Sequence, residues 1–300
     1  MELLKENERI DDLQFRGMKI IQNPEYFCFG TDAVLLADFA TVKKNAKICD
    51  LGTGTGILPI LLYGRHEYVH CDAVEIQDFM AEMASRTVKL NKLEDRITVH
   101  NADLRCLKGV LPSCEYSTVV CNPPYKKDGS GEHNKDDAHS VSRHEATCTL
   151  DDVCAAANYL LKNGGRFAMI NHSDRIVDIF MTMRKYNIEP KRVRPVQSRP
   201  HTPAYVVLIE GVKEGKPYMN WESTLCIYDK DGNIIAQHKD IEDKDQSVTV
   251  KTTTTVQTGI QNNSTTLMMI ALIVMFIAVM GAVGVVGIRR FRQVDNSDDE

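Results

Sequence analysis

The chain has 300 residues, 43% of them apolar and 26% charged, with 36 Lys and Arg against 41 Asp and Glu for a formal net charge of −5. At roughly 150 residues per domain the length suggests two domains, and the composition excludes a disordered or collagen-like chain. The acidic balance excludes a protein that coats nucleic acid by bulk charge, so any such contact is local. Nine cysteines, an odd count without a CxxC pair, show neither a disulfide framework nor a common zinc spacing, and reduced thiols fit a cytosolic compartment. The charged start, residues 1–9, lacks the apolar stretch of a secretory signal.

In chain order, the spacing predicts a short buried strand at 47–51, a glycine turn, and an apolar helix ending near Gly64 as its C′ residue. A second strand is expected at 68–76. A helix follows at 77–91 with Phe79, Met80, Met83, Ala84, Thr87 and Val88 on one stripe. Further strands are expected at 97–100 and 116–121, then a helix at 150–161 whose Leu150, Val153, Cys154, Ala157, Leu160 and Leu161 face inward, and a strand at 166–170. Strands alternating with helices predict an α/β fold: a doubly wound, mostly parallel sheet with helices on both faces and ligands beyond the carboxyl ends of the strands.

The globular pattern stops near residue 236, which makes 1–236 the functional unit. Residues 237–266 read as a polar linker. Residues 267–288 run 22 residues without a charge, enough for a helix to span a hydrocarbon core of about 30 Å, and predict a C-terminal transmembrane helix followed by a short charged tail, 289–300. Arg289, Arg290 and Arg292 place that tail in the cytosol by the positive-inside rule, which would put residues 1–236 outside and conflicts with the missing signal and the free cysteines. A tail anchor and a foreign segment joined to a soluble protein are both open.

The chemistry concentrates at three strand ends. Asp50-Leu-Gly52-Thr53-Gly54-Thr-Gly56 turns the first strand into its helix, and its GxGxG spacing, with Ile57 where a dinucleotide fingerprint wants glycine, disfavours NAD. No Walker lysine is present. Glu75, 19 residues after Gly56, stands where a carboxylate can accept both ribose hydroxyls of an adenosine-type cofactor. Asp103 either accepts from an adenine amino group or caps the following helix, or does both. Asn122-Pro123-Pro124-Tyr125 closes the fourth strand; its prolines remove N–H donors, Asn122 adds an acceptor, and Tyr125 offers a flat face for a planar base. Such a set suits an exocyclic amino group aimed at an electrophile.

These residues resemble the S-adenosylmethionine-dependent amino methyltransferases of the Rossmann-like class, a seven-stranded fold. Phe29-Gly30-Thr31-Asp32-Ala-Val-Leu-Leu36 and Ser142-Arg143-His-Glu-Ala make residues 8–236 similar to the bacterial tRNA1(Val) adenine-N6 methyltransferases, which act beside the anticodon. The likeness takes in Tyr228-Asp-Lys-Asp-Gly and leaves out 237–300. It implies S-adenosylmethionine as cofactor, with Asp50, Gly52, Thr53, Gly54 and Gly56 on its methionine part, Glu75 and Ile76 on its ribose, and Asp103 and Leu104 on its adenine. Phe29, Gly30, Thr31, Asp32 and Asn122 complete that pocket by the same resemblance. Asn122, Pro123, Pro124 and Tyr125 are then catalytic, and the partner is a tRNA anticodon loop.

RNA grip is expected from 184–216, where eight cations face three acids and prolines 190, 195, 200 and 203 keep part of the segment loop-like. Lys191, Arg192, Arg194 and Arg199, with Arg143, are the expected RNA contacts; a solvated basic face is the other reading. The polar loop 126–147 reads as a substrate lid rather than a metal cluster, and no metal is expected. Other acceptors remain open, namely rRNA guanine N2, DNA adenine N6 or protein glutamine N5, as does an inactive membrane-tethered binding protein.

Overall fold

Short β-branched and apolar segments alternating with amphipathic helices build one large sheet with two covered faces. The computed structural model describes residues 3–26, 28–123 and 148–228. Pro124, Tyr125, the 126–147 loop with Arg143, and all residues from 229 onward lie outside the described residues, so the linker and tail expectations fall there too.

A hairpin of β1 (Arg9–Asp12) and β2 (Lys19–Gln22) leads to α1 (Thr31–Phe39). Then come β3 (Lys47–Leu51), α2 (Ile57–His66), β4 (His70–Glu75), α3 (Asp78–Leu90), β5 (Ile97–Asn101), β6 (Tyr116–Cys121) and α4 (Leu150–Leu160). The last part holds β7 (Leu161–His172), α5 (Ile176–Lys185), β8 (Ile188–Gln197), β9 (Val206–Lys213) and two-residue strands β10 (Asn220–Trp221) and β11 (Leu225–Cys226). The strand order is β5-β4-β3-β6-β7-β9-β8, with β10 and β11 both on the outer edge of β8 and β9 antiparallel to its neighbours.

Period-2 alternation sorts the strands between two cores. Ile48, Cys71, Ala73, Val120 and Leu208 pack under α1, α2 and α3, whereas Cys49, Leu51, Val119, Phe167 and Ile209 pack under α4 and α5. The nine cysteines carry free thiols.

Four expectations are corrected. Among the described residues the sheet has nine strands rather than seven, because the chain returning after β9 pairs with the free edge of β8 in two short pieces. Residues 188–197 are a strand despite Pro190 and Pro195: Pro190 sits at a register shift, and the outer ladder breaks between β10 on 192–193 and β11 on 196–197, where Pro195 has no N–H to offer. Gly64 lies inside α2, which runs on to a left-handed Glu67; a Cβ there would meet Phe15 Cε1 at 2.4 Å, so close approach and not capping requires the glycine. The C-terminal transmembrane helix does not stand: among the described residues no helix is long and apolar enough to cross a membrane, and 267–288 lies outside them. The 13-residue α3 spans only about 20 Å at the helical rise, short of a bilayer core.

Glu210 in β9 ties the neighbouring strands β7 and β8 to the loop after α1. Fully buried, it accepts from Arg166 Nη1 at 2.6 Å, Arg192 Nη1 at 3.2 Å, the Thr41 N–H at 2.8 Å and the Thr41 hydroxyl at 3.1 Å. Removing one partner of such a cluster leaves buried charge uncompensated. Glu210→Ala is expected to destabilise the fold by about 3 kcal/mol or more, read as a lower midpoint in urea unfolding followed by circular dichroism.

Candidate active site

The order of strands brings the chemistry together. Beside β3 lie β4 on one side and β6 on the other, the reversal at which open α/β sheets bind ligands. Leu51 pairs with Val74 and with Cys121, and Glu75 pairs with Asn101. Gly52, Glu75, Asp103 and Asn122, distant in sequence, therefore leave four adjacent strands at one edge.

The glycine turn is held by backbone groups around β4. The N–H groups of Gly52 and Thr53 donate to the Val74 carbonyl at 2.9 and 3.0 Å, which requires left-handed backbone at Gly52, φ 75°, and Gly54, φ 58°. A Cβ on Gly52 would meet nothing within 4 Å, so the turn faces open space a ligand can enter. Glu75 is buried and clamps the turn: one carboxylate oxygen accepts from the Gly54 N–H at 2.9 Å, the other from the Gln77 N–H at 3.0 Å. Each oxygen keeps a further lone pair for a ligand hydroxyl.

Asp50 is the anomaly. It is fully buried, and among the described residues neither carboxylate oxygen has a hydrogen-bond partner. Burial pushes its carboxyl up to about 7; the Thr53 side chain pulls against this, and the charge of Glu75 adds to it. A carboxylate stranded in this way is costly alone and favours a cation beside it. S-adenosylmethionine carries two, a sulfonium and an ammonium, so the donor set fits, and Asp50 with the glycine turn would hold its methionine end.

A shallow cleft opens from this edge, lined by Gly52, Val74, Glu75, Ile76, Ala102, Asp103, Leu104, Arg105 and Cys148. Asp103 caps the one-turn helix Leu104–Cys106 by accepting from the Arg105 N–H at 2.8 Å. The Arg105 guanidinium also grips its carboxylate, Nε at 3.0 and 2.9 Å and Nη2 at 2.6 Å, and holds the Asp103 carboxyl below its ordinary value. Sequence reasoning missed Arg105, although its i+2 position after a capping Asp was readable. It also missed Cys148, whose thiol burial pushes up to about 11, and the Tyr26 ring 4.4 Å from that of Phe79 at the start of α3.

Asn122 and Pro123, both half-buried, follow β6 beside Gly52. Phe29, Gly30, Thr31 and Asp32 lie at the start of α1, outside the cleft lining; Gly30 is the N-cap and the Phe29 N–H donates to Gln22 Oε1 at 3.0 Å. The expected RNA contacts are distributed differently from a uniform basic edge. Lys191 Nζ donates to the carbonyls of Lys216 at 3.0 Å, Pro217 at 3.1 Å and Tyr218. Arg192 is committed to Glu210, to Glu222 at 2.8 Å and to the Phe39 ring, 4.4 Å away. Arg194 buries an Nε with no partner among the described residues, and Arg199 is exposed on the turn after β8.

A buried carboxylate beneath a glycine turn, a glutamate that clamps that turn and an Asn-Pro at the switch point of a doubly wound sheet fit a Rossmann-like methyltransferase. The family model described as methyltransferase small domain matches residues 18–184, and the chain belongs to that family. Among relatives, the tRNA1(Val) (adenine(37)-N6)-methyltransferase of Porphyromonas gingivalis is 29% identical over 206 residues, 67% of this chain and 80% of the relative. A protein of the same name from Bacteroides fragilis is 30% identical over 199 residues, 65% of this chain and 81% of the relative. Among solved structures, a predicted O-methyltransferase of Agrobacterium tumefaciens superposes with TM-score 0.57 at 20% identity, over 68% of this chain and 92% of the other, a likeness of fold.

The raised Asp50 carboxyl sets a pH dependence. Its folded value of about 7 exceeds the ordinary 3.8, so the folded state binds more protons between the two and stability falls as pH rises through that window. Without cofactor, the protein is expected to lose on the order of 4 kcal/mol between pH 4 and 7 from this group, and Asp50→Asn to remove that loss. Thermal unfolding of both proteins at pH 5 and pH 8 checks it: the variant is the more stable at pH 8.

Proposed function

We propose that this methyltransferase transfers the methyl group of S-adenosylmethionine to N6 of an adenine in tRNA, at position 37 in the anticodon loop of a valine tRNA, in the cytoplasm. One observation carries the reading: Asn122-Pro123 leaves β6 in register with the glycine turn, Cys121 paired with Leu51, so an amine acceptor set stands beside the cofactor cleft. The relatives that bear the tRNA1(Val) name, with about four-fifths of their length covered, support the choice of substrate.

When bound, the cofactor supplies a methyl carbon on a sulfonium, which passes to nitrogen by direct displacement. The protein's task is alignment. The Asn122 side-chain oxygen and the Pro123 carbonyl accept the two N–H bonds of the adenine amino group, which aims its lone pair and stabilises the positive charge that grows on nitrogen. Tyr125, outside the described residues, would stack on the ring, a contact of about 1–3 kcal/mol. An anticodon-loop adenine is unpaired, so extruding it is cheaper than flipping a base out of a duplex.

Asn122→Ala is expected to lower transfer of labelled methyl to unmodified tRNA by about 100-fold or more without lowering the thermal midpoint. The wild-type protein should label unmodified tRNA and leave tRNA already methylated at position 37 unlabelled.

A further inference from the structure

Five of the eight cations in 184–216 are engaged by other groups of the protein, Arg184 and Lys185 in pairs at its surface. Lys191 and Arg192 are engaged as described, Arg184 pairs with Glu189, Lys185 with Asp151, and Lys213 donates to the Asn158 and Leu161 carbonyls. Arg199 differs: its guanidinium is exposed and has no acid partner among the described residues.

The turn that carries Arg199 is rigid. The Thr202 hydroxyl donates to the Arg199 carbonyl at 2.7 Å, and the Arg199 N–H donates back to that hydroxyl at 3.3 Å. The Tyr228 N–H closes on the Ser198 carbonyl at 2.9 Å, and Ser173 Oγ on the Ala204 carbonyl at 2.6 Å. At its far end Tyr205 is fastened on both sides, its N–H to the Val196 carbonyl at 3.0 Å and its carbonyl to the Ser173 N–H at 3.1 Å. Its side chain nevertheless remains 40% exposed, an aromatic face presented by an immobilised backbone. Burial, with the charge of Asp32 adding to it, raises its phenol above the ordinary value.

The register locates this platform relative to the chemistry. Cys121 is level with Met169 and Ile209, so Asn122 is level with Ile170, Leu208 and Arg194. Tyr205 lies three residues beyond Leu208 and two strands from β6. At 3.3 Å per residue and 4.8 Å per strand that is about 10 Å up and about 10 Å across, or roughly 14 Å from Asn122. The strand ends of β7, β9 and β8 thus form a wall on the substrate side of Asn122, with a free cation and a fixed ring at its top.

We infer that Tyr205 and Arg199 hold the unpaired nucleotide next to the methylated adenine, the Tyr205 ring stacking on its base and Arg199 meeting its phosphate. This rests on the tRNA reading above. An aromatic face and a cation carried by one turn are the combination that grips single-stranded RNA.

Steady-state kinetics with unmodified tRNA test it. Tyr205→Ala is expected to raise KM for tRNA between about 5- and 100-fold with kcat and cofactor affinity by calorimetry within about twofold, and Tyr205→Trp to restore KM. Arg199→Ala should lower the slope of log affinity against log salt by about 1. An unchanged KM in Tyr205→Ala, or a loss that Tyr205→Trp does not rescue, overturns the platform while leaving the tRNA reading intact. A wild-type protein that does not methylate tRNA overturns both.

Discussion

Everything at the active edge hangs from the Glu75 carboxylate. By accepting the Gly54 and Gln77 N–H groups it fastens the glycine turn of β3 to the first turn of α3, while Gly52 and Thr53 are held on the carbonyl of Val74, one residue before it. A turn with three left-handed glycines, Gly52, Gly54 and Gly56, would otherwise lose conformational entropy without return. With that clamp closed, Gly52 stays open to a ligand and Asp50 is buried beneath the turn with no hydrogen-bond partner among the described residues. A buried carboxylate with a raised pKa at the end of a strand is the kind of group that clusters at functional sites, and its chemistry suits a cationic ligand.

The same economy of charge runs through the basic C-terminal part. A run of cations in an acidic protein invites a reading as an RNA-binding edge, yet most of these side chains hold the fold: Arg192 and Arg166 around Glu210, Lys191 on three carbonyls, Lys213 on the end of α4. Ion pairs of this kind neutralise the field a polyanion would feel. What remains for a substrate is sparse and local, in keeping with a formal net charge of −5.

Legibility in the sequence followed local signal strength. Strands β3, β4, β5 and β6 and helices α3 and α4 were readable because apolar alternation and 3.6-residue stripes are properties of a few neighbouring residues. Helix α5 and strands β8 and β9 were not, since Pro190 and Pro195 argue locally against a strand and only the broken outer ladder accommodates them. Gly64 misled for the same reason: a glycine near a helix end signals a cap, whereas its cause is Phe15, 49 positions earlier. The apolar run at 267–288 supplied length without context, and no membrane-spanning helix stands among the described residues.

The sequence by itself determined the class of chemistry: GxGxG after a strand, an acid at the next strand end and Asn-Pro-Pro-Tyr at another specify groups whose function depends on residue type and short spacing. Only the tertiary structure decided which of these groups are free to act. It left Asp50 without a hydrogen-bond partner among the described residues, gave Arg192 and Arg166 to Glu210, and set Tyr205 just before β9, two strands from β6. Side-chain pairing is fixed by strand order and register, which join residues tens to hundreds of positions apart, and that information resides in packing rather than in any local pattern.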